Sequence, residues 1–195
     1  MANRTGTYVA FDGLGQTDPT KSDFRYYSTM QAWDVKKNID FKFVNSHEKT
    51  DAVRDTSKMA TLTARIQERL RASKNMIVIL SPQTRKSGSM LVFEIEQAVD
   101  SYELPLICVY PGYRVIMNVD QMSLRWPTAL STRIANGTAK AIHIAFAQKP
   151  MLDAIGQFGV NDKIPITSKR YYSAEAYRGW ELMNMLEQEG NNYTS

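Results

Sequence analysis

Two continuous apolar runs, Met76–Leu80 (MIVIL) and Leu104–Tyr110 (LPLICVY), constrain this chain more than any other feature of it. A strand that is apolar at nearly every position has both faces covered, as in a parallel sheet flanked by helices. The intervening segments meet that demand. Leu91, Ile95, Ala98, Val99 and Tyr102 recur at helical spacing between the two runs, and Met59, Leu62, Ile66 and Leu70 do so before the first. Shorter β-rich runs at Thr7–Phe11 (TYVAF), Phe41–Val44 (FKFV) and Ala139–Phe146 (AKAIHIAF) bring the expected strands to five. A helical pattern over Ser22–Lys37, carried by Phe24, Tyr27, Met30, Ala32 and Trp33, separates the first two strands. Pro150–Phe158 reads as a short helix, and Ser173–Glu189 as a last one with Trp180, Met183 and Leu186 on one side. Residues 113–138 carry no pattern that assigns them.

Strand and helix in alternation predict an α/β fold: a flavodoxin-like, parallel five-stranded sheet with helices on both faces and a C-terminal helical extension. Residues 1–160 are expected to form the α/β domain, with 161–195 packed on it as the extension. In open parallel sheets, ligands sit at the carboxyl ends of the strands, where the strand order reverses. The loops after Phe11, Val44 and Leu80 should therefore surround one crevice, and they are the three loops richest in polar residues.

Composition removes several functional classes. Cys108 is the single cysteine, so no disulfide can form within the chain. His47 and His143 are the only histidines, so a Cys- or His-rich zinc site is not expected and no metal is assigned. The net charge of +4 is mild. Arg65, Arg69 and Arg71 are the densest basic group, read as a solvated helix face before a phosphate-binding patch, and no nucleic-acid partner is expected. No run approaches the roughly 18 apolar residues of a membrane span, and Met1–Thr7 lacks the apolar stretch of a signal peptide. The expectation is a cytoplasmic protein with no membrane partner.

Phosphate-loop and nucleophile motifs are incomplete. Gly13-Leu14-Gly15 follows the first strand, but Asp18 occupies the position of the third glycine in a dinucleotide-binding turn, which leaves a plain turn. No Gly-Lys-Ser or Gly-Lys-Thr exists, and Ser87-Gly88-Ser89 is not a nucleophile elbow. His143, inside an expected strand, reads as a packed or edge histidine. His47 lies in the polar loop after the second strand and is either solvated or turned to a ligand. Glu94 is the acid that stands out. At about 100° per residue it falls at the border of the apolar face set by Leu91, Ile95, Ala98, Val99 and Tyr102, whereas Glu96 points farther toward solvent. By position alone Glu94 is either an ordinary helix glutamate or a carboxylate suited to stabilising a developing cation or holding a ribose hydroxyl.

Read in order, Tyr8-Val9-Ala10-Phe11-Asp12, Tyr26-Tyr27, Ala32-Trp33 with Lys36-Lys37, Ile39-Asp40-Phe41-Lys42-Phe43, Ser46-His47-Glu48, Arg54-Asp55-Thr56-Ser57, Ile77-Val78-Ile79-Leu80-Ser81 and Phe93-Glu94-Ile95-Glu96 form a set. The set resembles the bacterial TIR-like domain family that includes the NAD-processing TIR subunit of Thoeris anti-phage systems. It covers Thr7–Tyr110 well and the remainder loosely. Met90 departs from the aromatic often found four residues before the family's glutamate, and Phe93 replaces the frequent tryptophan just before it.

The resemblance implies a TIR-type fold and cleavage of the nicotinamide–ribose bond of NAD, with Glu94 at the position of the essential glutamate. NAD is then a substrate, and no cofactor is implied. Phe11 and Asp12 after the first strand, and Asn45, His47 and Arg54 after the second, would line the dinucleotide site. Ser81, opening the loop after the third strand, is placed with them. The expected product is an ADP-ribose-derived signal, cyclic in some members, sensed by a separate effector, and a homo-oligomer is plausible. The mechanism requires an ionised Glu94 and no metal. The alternative is a non-catalytic TIR-type interaction module, and a third reading is a nucleotide sensor that binds without turnover. A phosphorylated receiver domain is set aside because Ser81 follows Leu80 where that class needs an aspartate after the third strand.

Overall fold

A computed structural model of the chain describes residues 4–16, 20, 22–37, 43–45, 56–162 and 167–184. The strands are β1 (Gly6–Ala10), β2 (Phe43–Asn45), β3 (Ser73–Ile79), β4 (Leu106–Tyr110), β5 (Ala141–Ala145) and β6 (Arg170–Tyr171). They form one sheet in the order β2-β1-β3-β4-β5-β6, and every neighbouring pair is parallel. The first five reproduce the expected flavodoxin-like order. The sixth corrects the expected count: two residues of the supposed helical extension add to the edge of β5, pairing Ile142 with Arg170 and His143 with Tyr171. So short a segment has no periodicity to read, and only a neighbouring strand makes it a strand.

Helices cover both faces, and the period of two along each strand sorts the core into two layers. Tyr8, Ala10, Met76, Val78, Leu106, Cys108 and Tyr110 point to one side. There they meet Ile66 and Leu70 of α2 (Thr56–Ala72), Leu91 and Ile95 of α3 (Met90–Glu96), and Leu130 and Ile134 of α4 (Thr128–Ala135). Val9, Ile77, Ile79, Ile107, Val109, Ile142 and Ile144 point to the other. They meet Tyr27 and Met30 of α1 (Phe24–Lys37), and Met151, Ala154 and Ile155 of α5 (Gln148–Gln157). Asn75, buried near the start of β3, fastens the lower edge. It accepts from Thr7 Oγ1 at 2.8 Å and donates to the Phe158 carbonyl at 2.6 Å.

Three further differences from the sequence reading concern local geometry. The helix expected through Tyr102 is α-helical only to Glu96 and continues as a π-helical turn over Gln97–Ser101. Its end is fixed when the Tyr102 N–H reaches back to the Gln97 carbonyl and Leu104 N–H to that of Ala98. The unassigned stretch holds a 3-10 helix at Asp120–Arg125 and then α4, with Met122 and Trp126 inserted into the core. The last helix, expected over Ser173–Glu189, is α6 (Ala174–Gly179), capped at its start by the Ser173 hydroxyl. It stops where Trp180 turns edge-on to Tyr172, at 4.8 Å between ring centroids, and Glu181 adopts a positive φ of 62°. Tyr177 and Met183 of this region lie in the core layer shared with β1, β3 and β4. Among the described residues, no helix is long and apolar enough to cross a membrane.

Candidate functional site

The chain leaves β1 for β2 on one side and returns to β3 on the other, so the strand order reverses between β1 and β3. The loops at the carboxyl ends of these two strands are tied together. Asp12, two residues past β1, accepts from Arg85 of the β3–α3 loop through the backbone N–H at 2.9 Å and through Nε and Nη2 at 2.9 and 2.7 Å. Its Oδ1 also takes the Leu14 N–H at 2.8 Å, closing the Gly13–Gln16 turn in which Leu14 and Gly15 both have positive φ. Burial raises the Asp12 carboxyl, but these donors outweigh it and hold the group below its ordinary value. On the far side of the loop, the Lys86 ammonium donates to the carbonyls of Ser123, Leu124 and Trp126, at the end of the 3-10 helix. The segment leading into α3 is therefore fastened at two points.

Glu94 lies in α3 and is only 2% exposed. Its Oε1 accepts the Tyr8 hydroxyl at 2.6 Å, a contact between a helix and a central strand 86 residues apart. Its Oε2 is buried and has no partner among the described residues. A carboxyl in such a place resists ionisation. Burial pushes Glu94 up to about 8, the Tyr8 hydrogen bond opposes this, and the negative charge of Asp12 adds to it. At neutral pH the free protein therefore carries Glu94 mainly protonated. Burial thus opposes the ionised form that the expected mechanism requires, because the fold encloses the group rather than leaving it at the border of the apolar face.

Asp23, immediately before α1, is a second buried acid and is fully enclosed. It takes hydrogen bonds from the hydroxyls of Ser81 and Thr84, while its Oδ1 has no partner among the described residues. Burial, partly relieved by Ser81 and reinforced by Asp12, pushes it up to about 6. A carboxyl that is buried, shifted and incompletely bonded is a candidate functional group. Among the described residues, no group of three or more His, Cys, Asp or Glu side chains is arranged to hold a metal ion.

The residues expected to line the crevice take different places. Asp12 and Ser81 come together at the carboxyl ends of β1 and β3, joined through Asp23, Thr84 and Arg85. Phe11 is 3% exposed and packs against Tyr27 and Phe24, at ring-centroid distances of 5.7 and 6.0 Å. Asn45 ends β2, with its backbone in register with Val9. His47 and Arg54 lie outside the described residues. Tyr8, Asp23 and Arg85 were not singled out by the sequence. Asp23 carried the only signal, an acid just ahead of a helix that follows a strand.

His143 is fully buried and makes a closed network. Trp126 Nε1 donates to the Tyr110 hydroxyl at 2.8 Å, Tyr110 donates to His143 Nδ1 at 2.7 Å, and His143 Nε2 donates to the Ser168 carbonyl at 3.0 Å. Because Ser168 offers only an acceptor, Nε2 carries the proton. Burial lowers the imidazole to about 4, so it is neutral in the folded protein.

A parallel sheet in the order 2-1-3-4-5 at its core places the protein among flavodoxin-like α/β domains, the class that includes TIR-type domains. Residues 8–115, more than half of the chain, match the family model described as Thoeris protein ThsB, TIR-like domain, and the chain belongs to that family. It is thus a TIR-type protein of the Thoeris defence group. Among solved structures, the crystal structure of a conserved protein from Enterococcus faecalis V583 aligns with 96% of this chain and 99% of its own. The identity is 19% and the TM-score 0.38, too loose to bear on the site.

Proposed function

We propose that the protein cleaves the bond between nicotinamide and ribose in NAD, with Glu94 as the acting carboxyl. The observation that supports this most is the Glu94 side chain itself: buried, held on one oxygen by Tyr8, and unpartnered on the other. The pyridinium of NAD is a good leaving group, so the carbon–nitrogen bond breaks with its electron pair going to nicotinamide. The carboxylate of Glu94 stabilises the oxocarbenium-like cation left on the ribose. Water then captures the cation and releases a proton, giving ADP-ribose, or a ring nitrogen of adenine captures it, giving a cyclic product. Exclusion of water selects the second route. The positive charge of bound NAD favours the ionised form of Glu94, so binding draws off the proton that the free protein holds. A separate effector senses the product during phage infection.

A non-catalytic interaction module is the second reading. It is favoured by the burial of Glu94, 2% exposed in the resting protein, and by Leu124, a leucine 84% exposed. Incubation with NAD, alone and with lysate from phage-infected cells, separates the two. Release of nicotinamide by the native protein and its loss in Glu94→Gln supports the enzyme. If neither condition consumes NAD, or if the variant is equally active, the Glu94 mechanism is wrong and the module takes its place.

A further inference from the structure

Tyr8 is an unusual side chain for its position. It occupies the middle of β1, is fully buried, and is paired in register with Val44 of β2 and Met76 of β3. A buried tyrosine hydroxyl needs a hydrogen-bond partner to be tolerated. Here the hydroxyl reaches out of the sheet to Glu94 Oε1 at 2.6 Å, within the range of charge-assisted O–H···O bonds. Strand ladders on both sides fix the donor. The acceptor rides on α3, whose Leu91 and Ile95 pack into the same layer and whose leading loop is fastened by Asp12–Arg85 and Lys86.

From this geometry, and resting on the catalytic reading above, we infer that Tyr8 is a positioning residue: it holds Oε1 of Glu94 and leaves Oε2 as the oxygen that meets the substrate ribose. The hydroxyl does two things at once. It removes the freedom of the carboxyl to rotate, so Oε2 is presented in one place. It also donates to the ionised form, counteracting the effects of burial and of Asp12, the other charged group that acts on Glu94. Arg85 neutralises Asp12 directly, and Glu96, two residues on and on the other side of the helix, is turned toward Arg133 instead, at 3.9 Å. Tyr8 thus supplies the only one of these influences that favours the carboxylate.

The test is a carbon-13 titration of the Glu94 carboxyl in the full chain, its signal identified by its loss in Glu94→Gln. It is run beside nicotinamide release from NAD in lysate of phage-infected cells. Tyr8→Phe keeps the ring and removes the hydroxyl. The expected result is a Glu94 midpoint raised by about one pH unit. The pH profile of kcat/KM for nicotinamide release should move by the same amount, with kcat/KM falling about tenfold at neutral pH and recovering at higher pH. An unchanged midpoint overturns the inference. Should Tyr8→Phe fail to fold, 3-fluorotyrosine placed at position 8 donates more strongly and must lower the midpoint; an unchanged value again overturns the inference. The two readings fail separately. If Glu94→Gln still releases nicotinamide, the proposed function falls and the role of Tyr8 with it. If that variant is inactive while Tyr8→Phe keeps the native midpoint and profile, only Tyr8 loses its role.

Discussion

Two buried polar clusters lie beside the sheet, and they differ in how completely they are bonded. At β4 and β5, Trp126, Tyr110, His143 and the Ser168 carbonyl form a chain in which each donor has an acceptor and no charge is present. At the carboxyl ends of β1 and β3, Glu94 and Asp23 each retain a buried oxygen with no partner among the described residues, and both resist ionisation. The first cluster is what a stable core does with unavoidable polar atoms. The second costs stability that packing alone does not require, which is what makes it the candidate site. Burial of a polar residue does not distinguish these two clusters; completeness of hydrogen bonding does.

The contrast can be broken by substitution, and the largest effect is expected on activity. Glu94→Gln should lower triggered nicotinamide release by at least about a hundredfold, in keeping with loss of a transition-state stabilising group, measured by mass spectrometry of NAD consumption. His143→Phe should leave that rate nearly unchanged. It should instead cost about 1–3 kcal/mol in urea unfolding, because the Tyr110 hydroxyl and Ser168 carbonyl lose their partner. If His143→Phe abolishes turnover in a folded protein, the division into structural and functional clusters is wrong.

pH sharpens the same comparison, since the two clusters respond with opposite sign. The folded pKa of Glu94 is raised from 4.5 to about 8, so the folded state keeps a proton that the unfolded chain has lost. Its contribution to stability is fully present below the unfolded value and is lost as pH rises through about 8, at a slope of about 1.4 kcal/mol per pH unit within the window. His143 is lowered from 6.5 to about 4, so its contribution is present above 6.5 and is lost as pH falls through about 4. The stability difference between Glu94→Gln and the native protein should therefore grow in favour of the variant from mildly acidic pH up to about 8. A flat difference in paired denaturant titrations would show that Glu94 is ionised in the folded state. The smallest shift is expected from Asp12→Asn, which removes the weakest of the named influences on Glu94 while keeping an acceptor for Leu14. The Glu94 midpoint should fall, by less than about one unit, in the same carbon-13 titration.

Much of this architecture is legible without coordinates. MIVIL and LPLICVY become β3 and β4, and the stripe at Leu91, Ile95 and Ala98 becomes α3 and the turn that continues it. Their boundaries differ by a few residues because strand ends are set by partners: β3 begins at Ser73, where Gly6 of β1 lies beside it. Glu94 is legible in the sequence as the acid at the border of its helix's apolar face. Its burial is not, since angular position on a helix says nothing of what closes over the group. The 3-10 helix at Asp120–Arg125 escaped because its cohesion comes from contacts across the chain, including Lys86 against its last carbonyls.

What the sequence determined by itself is the class of fold and the helix on which the acid sits. Periodicity is local, and a run apolar on both faces admits few architectures. What only the tertiary structure decided is the state of that acid. Tyr8 meets Glu94 across 86 residues and Arg85 meets Asp12 across 73, and neither pairing leaves a trace in spacing or composition. The pKa of a carboxyl is set by the solvent it loses and the partners it gains, and both quantities exist only once the sheet and helices have come together.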